Sequence, residues 1–162
     1  LFTIGNKFYM DSVFKKSFTK AGIEYNRFSA QPTILNNVLW YAIAETNTDY
    51  KVTFYSLFDK STTANTILTL PKNHDLIDIN HPDIKKMAWF SNNYFNLIKK
   101  DSKKTIQYND LRYPLLNAND PNSSVFSFTL KKGENRWDII PFYGARPKKE
   151  DIEAFKKRIK GI

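Results

Sequence analysis

The chain has 162 residues, enough for one domain with a sizeable core, and its 41% hydrophobic content is ordinary for a globular protein. It holds no Cys, which excludes disulfides, thiolate zinc sites and cysteine nucleophiles. No apolar run approaches the roughly 20 residues of a spanning helix, so the formal charge of +9 is expected on a body that is soluble as it stands.

The chain opens on Leu1 with no signal-peptide pattern and reads as a portion of a longer protein. Residues 6–21 are predicted helical. Met10, Phe14 and Phe18 recur at i, i+4 and i+8 with Val13 and Ala21 beside them, while Lys15, Lys16 and Lys20 face water. Gly22 is placed to end the helix in a left-handed cap. Residues 23–29 read as a short strand, closed by Gln31-Pro32. The stretch 32–59 is the expected centre of the fold. Residues 36–45 are apolar on both sides, which predicts a central strand covered on both faces. Residues 50–58 alternate more clearly, and the turn formers Thr46, Asn47, Thr48 and Asp49 make the pair a hairpin.

Residues 61–65 read as a polar turn, 66–70 as a strand stopped by Pro71, and 72–80 as a loop. Pro82 suits the first position of a helix, with Ile84, Met87, Ala88 and Phe90 on its buried face and Asn92-Asn93 as the break. Residues 94–100 and 104–113 are predicted to pair around 101–103. The Pro- and Asn-rich stretch 114–123 reads as a mobile loop. Residues 124–131 alternate as a half-buried strand, 132–135 form a turn, and 136–143 make a last strand ending at Gly144. Pro147 opens a terminal helix with a narrow stripe of Ile152, Phe155 and Ile159 and a basic back. The expectation is one α+β domain over 1–162, with 144–162 as a basic helical extension. A mainly antiparallel sheet of about six or seven strands carries an N-terminal, a middle and a C-terminal helix on one face or at its ends.

Several groups carry possible chemistry. His74, Asp75, Asp78, His81 and Asp83 lie close together, so His74 and His81 are weak candidates for a divalent metal. Their spacing matches no zinc pattern, and Asp83 is explained as a first-turn acid of its helix. Asp110 and Arg112, at i and i+2, share a strand face. They read as a holder of an anionic ligand or partner carboxylate, or as a structural ion pair, the second being favoured. Glu45 and Asp59 end the first hairpin and are candidate paired acids. Trp40, Trp89 and Trp137 read as core, with Trp40 also kept as a candidate binding residue of the aromatic hairpin. No Gly-rich phosphate loop, Gly-x-Ser-x-Gly or Ser/His/Asp arrangement stands out. Residues 131–162 hold ten Lys or Arg against five Asp or Glu. No RNA-recognition, helix-turn-helix or zinc-finger signature accompanies this basicity, so nucleic acid is not the favoured partner.

Ordered short motifs point further. Pro32-Thr33, Asn36-Asn37-Val38-Leu39-Trp40, Ala44-Glu45, Tyr55-Ser56-Leu57-Phe58-Asp59, Pro71-Lys72-Asn73, Phe90-Ser91 and Tyr108-Asn109-Asp110-Leu111-Arg112 occur in that order, followed by Val125-Phe126-Ser127-Phe128. This series resembles the soluble C-terminal region of the LexA-binding, inner-membrane-associated hydrolase family of bacteria. The resemblance spans roughly residues 6–130; the stretch 137–162 matches nothing expected of the family. It implies a membrane tether through a region upstream, where the family's metal-binding His and Asp motifs lie. It transfers no catalytic residue or cofactor to this segment. The leading expectation is therefore a non-catalytic regulatory, substrate-presenting or partner-binding domain, with the Asp110/Arg112 strand as its face and Arg112→Ala as a variant that leaves the fold intact. The alternatives are a small acid–base or metal-assisted hydrolase using Glu45, Asp59, Asp110 and His74, and a lipid- or nucleic-acid-binding module acting through the basic terminal helix.

Overall fold

The computed structural model describes residues 2–33, 36–100, 105–116, 123–142 and 149–162. Along them, three α-helices flank and separate two runs of four strands. The fold is α+β with antiparallel pairing throughout, and the strands divide between two four-stranded sheets.

Helix α1 (Phe2–Lys20) buries Met10, Val13, Phe14 and Phe18 of the predicted stripe, whereas Ala21 falls in the turn after the helix and is exposed. It ends as expected at Gly22, whose φ of 66° is the left-handed region. The next strand starts later than 23–29. Ile23 and Tyr25 instead pack back against the α1 core, and β1 is Arg27–Pro32. Pro32 is tolerated there because β1 is an edge strand. Strands β2 (Leu39–Glu45) and β3 (Asp49–Ser56) form the predicted hairpin, and β4 (Ile67–Pro71) completes the first sheet in the order β1-β2-β3-β4.

The period-2 geometry of β2 explains its double apolarity. Trp40, Ala42 and Ala44 face α1, while Leu39, Tyr41 and Ile43 enter a second core with Val52, Phe54 and Leu70. Tyr94, Leu111 and Leu115, from beyond the first sheet, close that second core.

Helix α2 (Pro82–Phe90) has Pro at its start, as read from the sequence. Its buried residues are Ile84 and Met87; Ala88 is half-buried against the same core. Phe90, expected inside, is half-exposed, and Trp89, expected in the core, is 82% exposed. The reason is the helical rotation. Trp89 lies two residues beyond Met87 and so points about 200° away from it. Asn92 and Asn93, both at positive φ, turn the chain into the second sheet. That sheet runs β5 (Phe95–Lys99), β6 (Thr105–Asp110), β7 (Ser127–Lys132) and β8 (Trp137–Phe142) in sequence order. The predicted turn at 101–103, the centre of the loop at 114–123, and Tyr143, Gly144 and Pro147 lie outside the described residues.

Helix α3 (Lys149–Ile159) lies on the second core through Phe155 and Ile159. Ile152, expected on the same stripe, is exposed. The C-terminal end of α3 is the anchored one. Arg158 Nη1 and Nη2 each donate to Asp59 at 2.6 Å, and Ser56 Oγ donates to Ile159 O at 2.5 Å. Gly161 follows at φ 74°, and a Cβ there would stand 2.6 Å from Phe58 O, so only glycine fits. Among the described residues no helix is long and apolar enough to cross a membrane.

Candidate functional site

The last residues of β6 meet the end of α2. Asp110 pairs with Phe95 in the sheet, and its N–H donates to Phe126 O at 2.9 Å. Its carboxylate is wholly buried. Two residues on, Arg112 returns to it: Nε donates to Oδ1 at 3.0 Å, Nη2 to Oδ2 at 2.6 Å, and the Arg112 N–H to Oδ1 at 3.1 Å. This is the two-pronged geometry that a planar guanidinium makes best. The carboxylate's hydrogen bond raises the affinity of Arg112 for its proton further.

Aromatic rings frame the guanidinium. Arg112 lies 5.1 Å from the Phe90 ring centroid and 5.9 Å from that of Tyr113, within cation–π range. Tyr113 leans on Phe126 at 4.8 Å. The α2 terminus is tied down beside them, since Ser91 Oγ and the Tyr108 hydroxyl are 2.6 Å apart. The outcome is a fixed surface of Phe90, Arg112 and Tyr113 at the end of α2, where Trp89 is almost wholly exposed. Arg112 is itself 32% exposed, and its Nη1 bonds none of the described residues. Such a surface offers flat apolar area and outward N–H donors. Its positive charge is already offset by Asp110.

The remaining candidates lie elsewhere. Glu45 accepts from Arg27 Nε at 2.5 Å and Lys72 Nζ at 2.8 Å. Arg27 stacks 4.0 Å from the Tyr94 ring centroid, and Lys72 lies 5.2 Å from that of Tyr50. Burial by itself would raise the Glu45 pKa, but the bonds from Lys72 and Arg27 prevail and hold it below the ordinary carboxylate value. Asp59 is taken by Arg158. Glu45 is the last residue at one end of the β2–β3 ladder, and Asp59 lies beyond the other end; the ladder spans about 20 Å at the usual strand rise. They do not form a pair. Trp40 is buried beneath α1 and presents no surface to a partner.

His74 and His81 also part company. His74 stacks on Phe95 at 4.1 Å, with Nε2 3.0 Å from Phe95 O. His81 caps α2, its Nδ1 accepting from Asp83 N at 3.3 Å. Asp83 is a first-turn acid as expected, and it also accepts from Trp137 N at 3.0 Å. Among the described residues no three His, Asp or Glu side chains meet as a metal site would require. The set Glu45, Asp59, Asp110 and His74 is thus spread over separate environments.

Two features were missed from sequence. The first is the Arg27–Glu45–Lys72 cluster, signalled only by the direct cross-strand pairing of Arg27 with Glu45. The second is a row of buried amides in the second sheet. Asn109 Nδ2 donates to Asn96 Oδ1 at 2.9 Å, and Asn109 Oδ1 accepts from Gln107 Nε2 and Ser127 Oγ, both at 2.7 Å. The alternation of these polar residues with Leu97, Tyr108 and Phe128 was the available signal.

The position of His74 yields a pH effect. Burial, with Lys72 nearby, lowers its pKa. The unfolded chain therefore takes up a proton first, near the ordinary value of about 6.5. The neutral imidazole's contribution is full above that value and is lost as pH falls through the lower folded value. Thermal midpoints measured from pH 7.5 to 5 should fall more steeply for the wild type than for His74→Phe, which keeps the ring stack on Phe95. Parallel curves would refute this role.

No family model, curated protein or solved structure matches this chain.

Proposed function

We propose that this chain is a non-catalytic accessory domain that binds a protein partner through the Phe90–Arg112–Tyr113 surface and the neighbouring Trp89. The observation that carries the reading is the combination of a rigidly held arginine with outward aromatic rings. Tryptophan, tyrosine and arginine are the residues that most often dominate binding energy at protein interfaces. A side chain already held in its bound geometry also loses little entropy on binding. The basic overall charge favours an acidic partner segment.

The ordered motifs that resemble the inner-membrane-associated hydrolases support a membrane context for the parent protein, with metal and catalysis in its upstream region. Many of those motif residues serve as joints of this body. Asn36 Oδ1 accepts from the Val38 and Leu39 amides at 3.0 and 2.7 Å, Asn73 Nδ2 donates to Leu97 O at 2.8 Å, and Lys72 bonds Glu45. These are fold-bearing roles, in keeping with an accessory domain.

The test uses the full-length parent protein. Trp89→Ala and Phe90→Ala alter exposed side chains, so folding stability should stay within about 1 kcal/mol of the wild type. Complementation by the full-length protein should nonetheless fail. Full complementation by both variants at wild-type abundance would refute the proposal.

A further inference from the structure

A cleft of about 410 Å³ opens between α3, the second core and residues 115–116. It falls within the about 300–1,000 Å³ typical of small-molecule sites. Its accessible apolar lining is Leu116, Ala154 and Phe155 of α3, and Ile162, over a floor of the buried Leu39, Phe54 and Leu115. Its charged lining is Asp59, Lys157 and Arg158.

The charges determine what the cleft prefers. Asp59 and Arg158 neutralise each other through two bonds of 2.6 Å. Lys157 remains, and its ammonium bonds none of the described residues. Lys156 before it is paired with Glu153 at 3.1 Å, and Lys160 follows just past the helix end. A cation would be repelled here, and a neutral molecule would gain nothing from Lys157. The apolar lining is mainly aliphatic, which suits a flexible hydrocarbon chain better than a stack of flat rings.

We propose that this cleft binds a single amphipathic anion: a medium-length acyl or alkyl chain laid along Leu116, Ala154, Phe155 and Ile162, with a carboxylate or phosphate head paired to Lys157. The site is distinct from the Arg112 surface, and neither proposal depends on the other. Because α3 is anchored mainly at its C-terminal end, a molecule wedged against Phe155 would also fix the helix to the sheet.

Calorimetric titration of the domain with sodium decanoate, decyl phosphate and decanol, each below its aggregation limit, tests the proposal. Both anions should saturate one site, with decanol about threefold or more weaker, as expected for loss of one ion contact to an exposed lysine. Lys157→Glu should weaken decanoate by about threefold or more through charge reversal at this exposed position while leaving decanol unchanged. Ala154→Trp, at an exposed helix position on the cleft wall, should abolish binding of both anions with an unchanged circular dichroism spectrum and melting midpoint. Vesicles of phosphatidylglycerol separate the sources of the anion. Retention on vesicles that Ala154→Trp abolishes assigns the site to a lipid headgroup and chain; decanoate binding without retention assigns it to a free amphiphile. Absence of saturation, equal affinity for decanol, or anion or vesicle binding untouched by Ala154→Trp would overturn the proposal.

Discussion

Replacing Arg112 by Ala is expected to cost about 3 kcal/mol of folding stability, the lower end for removing one partner of a buried ion pair. Asp110 is wholly buried and takes three side-chain hydrogen bonds from Arg112. Without the guanidinium, a carboxylate is left inside the protein with the backbone amide of residue 112 as its remaining donor among the described residues. That amide keeps the loss from being larger. A four-protein cycle checks the argument: wild type, Arg112→Ala, Asp110→Asn and the double variant, compared by urea denaturation. The double variant should be more stable than Arg112→Ala alone, because the stranded charge is gone, and the coupling should exceed about 1 kcal/mol. Additive losses, or an Arg112→Ala variant as stable as the wild type, would show that Asp110 is not held by this pair. Arg112→Ala is therefore not the neutral surface probe that the sequence suggested. A loss of function in that variant mixes folding with binding, whereas Trp89→Ala does not.

The chain's own pattern revealed most of the fold where a residue's role depends on near neighbours. The double apolarity of β2, the glycine stop at Gly22 and the proline start at Pro82 all act within a few residues, and each appears as read. The division into two sheets was less legible. Asn96, Gln107, Asn109 and Ser127 look like a solvated strand face in sequence, yet they are buried and bond mainly to one another. A polar residue satisfied by a distant polar residue is indistinguishable, in a single strand, from one that faces water. The same limit governs the site. Asp110 and Arg112 do pair, but not as two residues on one strand face: β6 ends at Asp110, and a turn brings Arg112 back onto its carboxylate. Phe90 completes the surface from α2, and that contact exists only after folding. Conversely, His74 and His81 are close in sequence, but the short turn and the helix start send one to Phe95 and the other to the α2 cap.

The tryptophans carry the other large effect. Trp40→Ala is expected to cost about 3–5 kcal/mol, as for other large aromatic residues cut from a core. Trp40 is 2% exposed and lies under α1 with Met10, Phe14 and Tyr55. Its Nε1 donates to Asn37 O at 3.1 Å, so the truncation empties a large volume and removes a hydrogen bond together. The void would fall between α1 and the first sheet, where Phe14 meets Tyr55 edge-on at 6.4 Å between ring centroids. Loosening of α1 should therefore accompany the global loss. Urea denaturation gives the magnitude, and amide hydrogen exchange along α1 locates it. Tryptophan fluorescence separates the contributions: Trp40→Ala should remove the blue, buried component of the emission, and Trp89→Ala the red, solvated one. A Trp40→Ala loss below about 1 kcal/mol, outside the range for core aromatics, with α1 exchange unchanged, would mean that α1 is held on the sheet by something other than this side chain. The contrast between the two residues follows from geometry alone. Trp40 occupies a strand position whose face is covered by a helix, and Trp89 a helix position whose face is covered by nothing among the described residues. The same residue type thus supports the fold at one position and is available to a partner at the other.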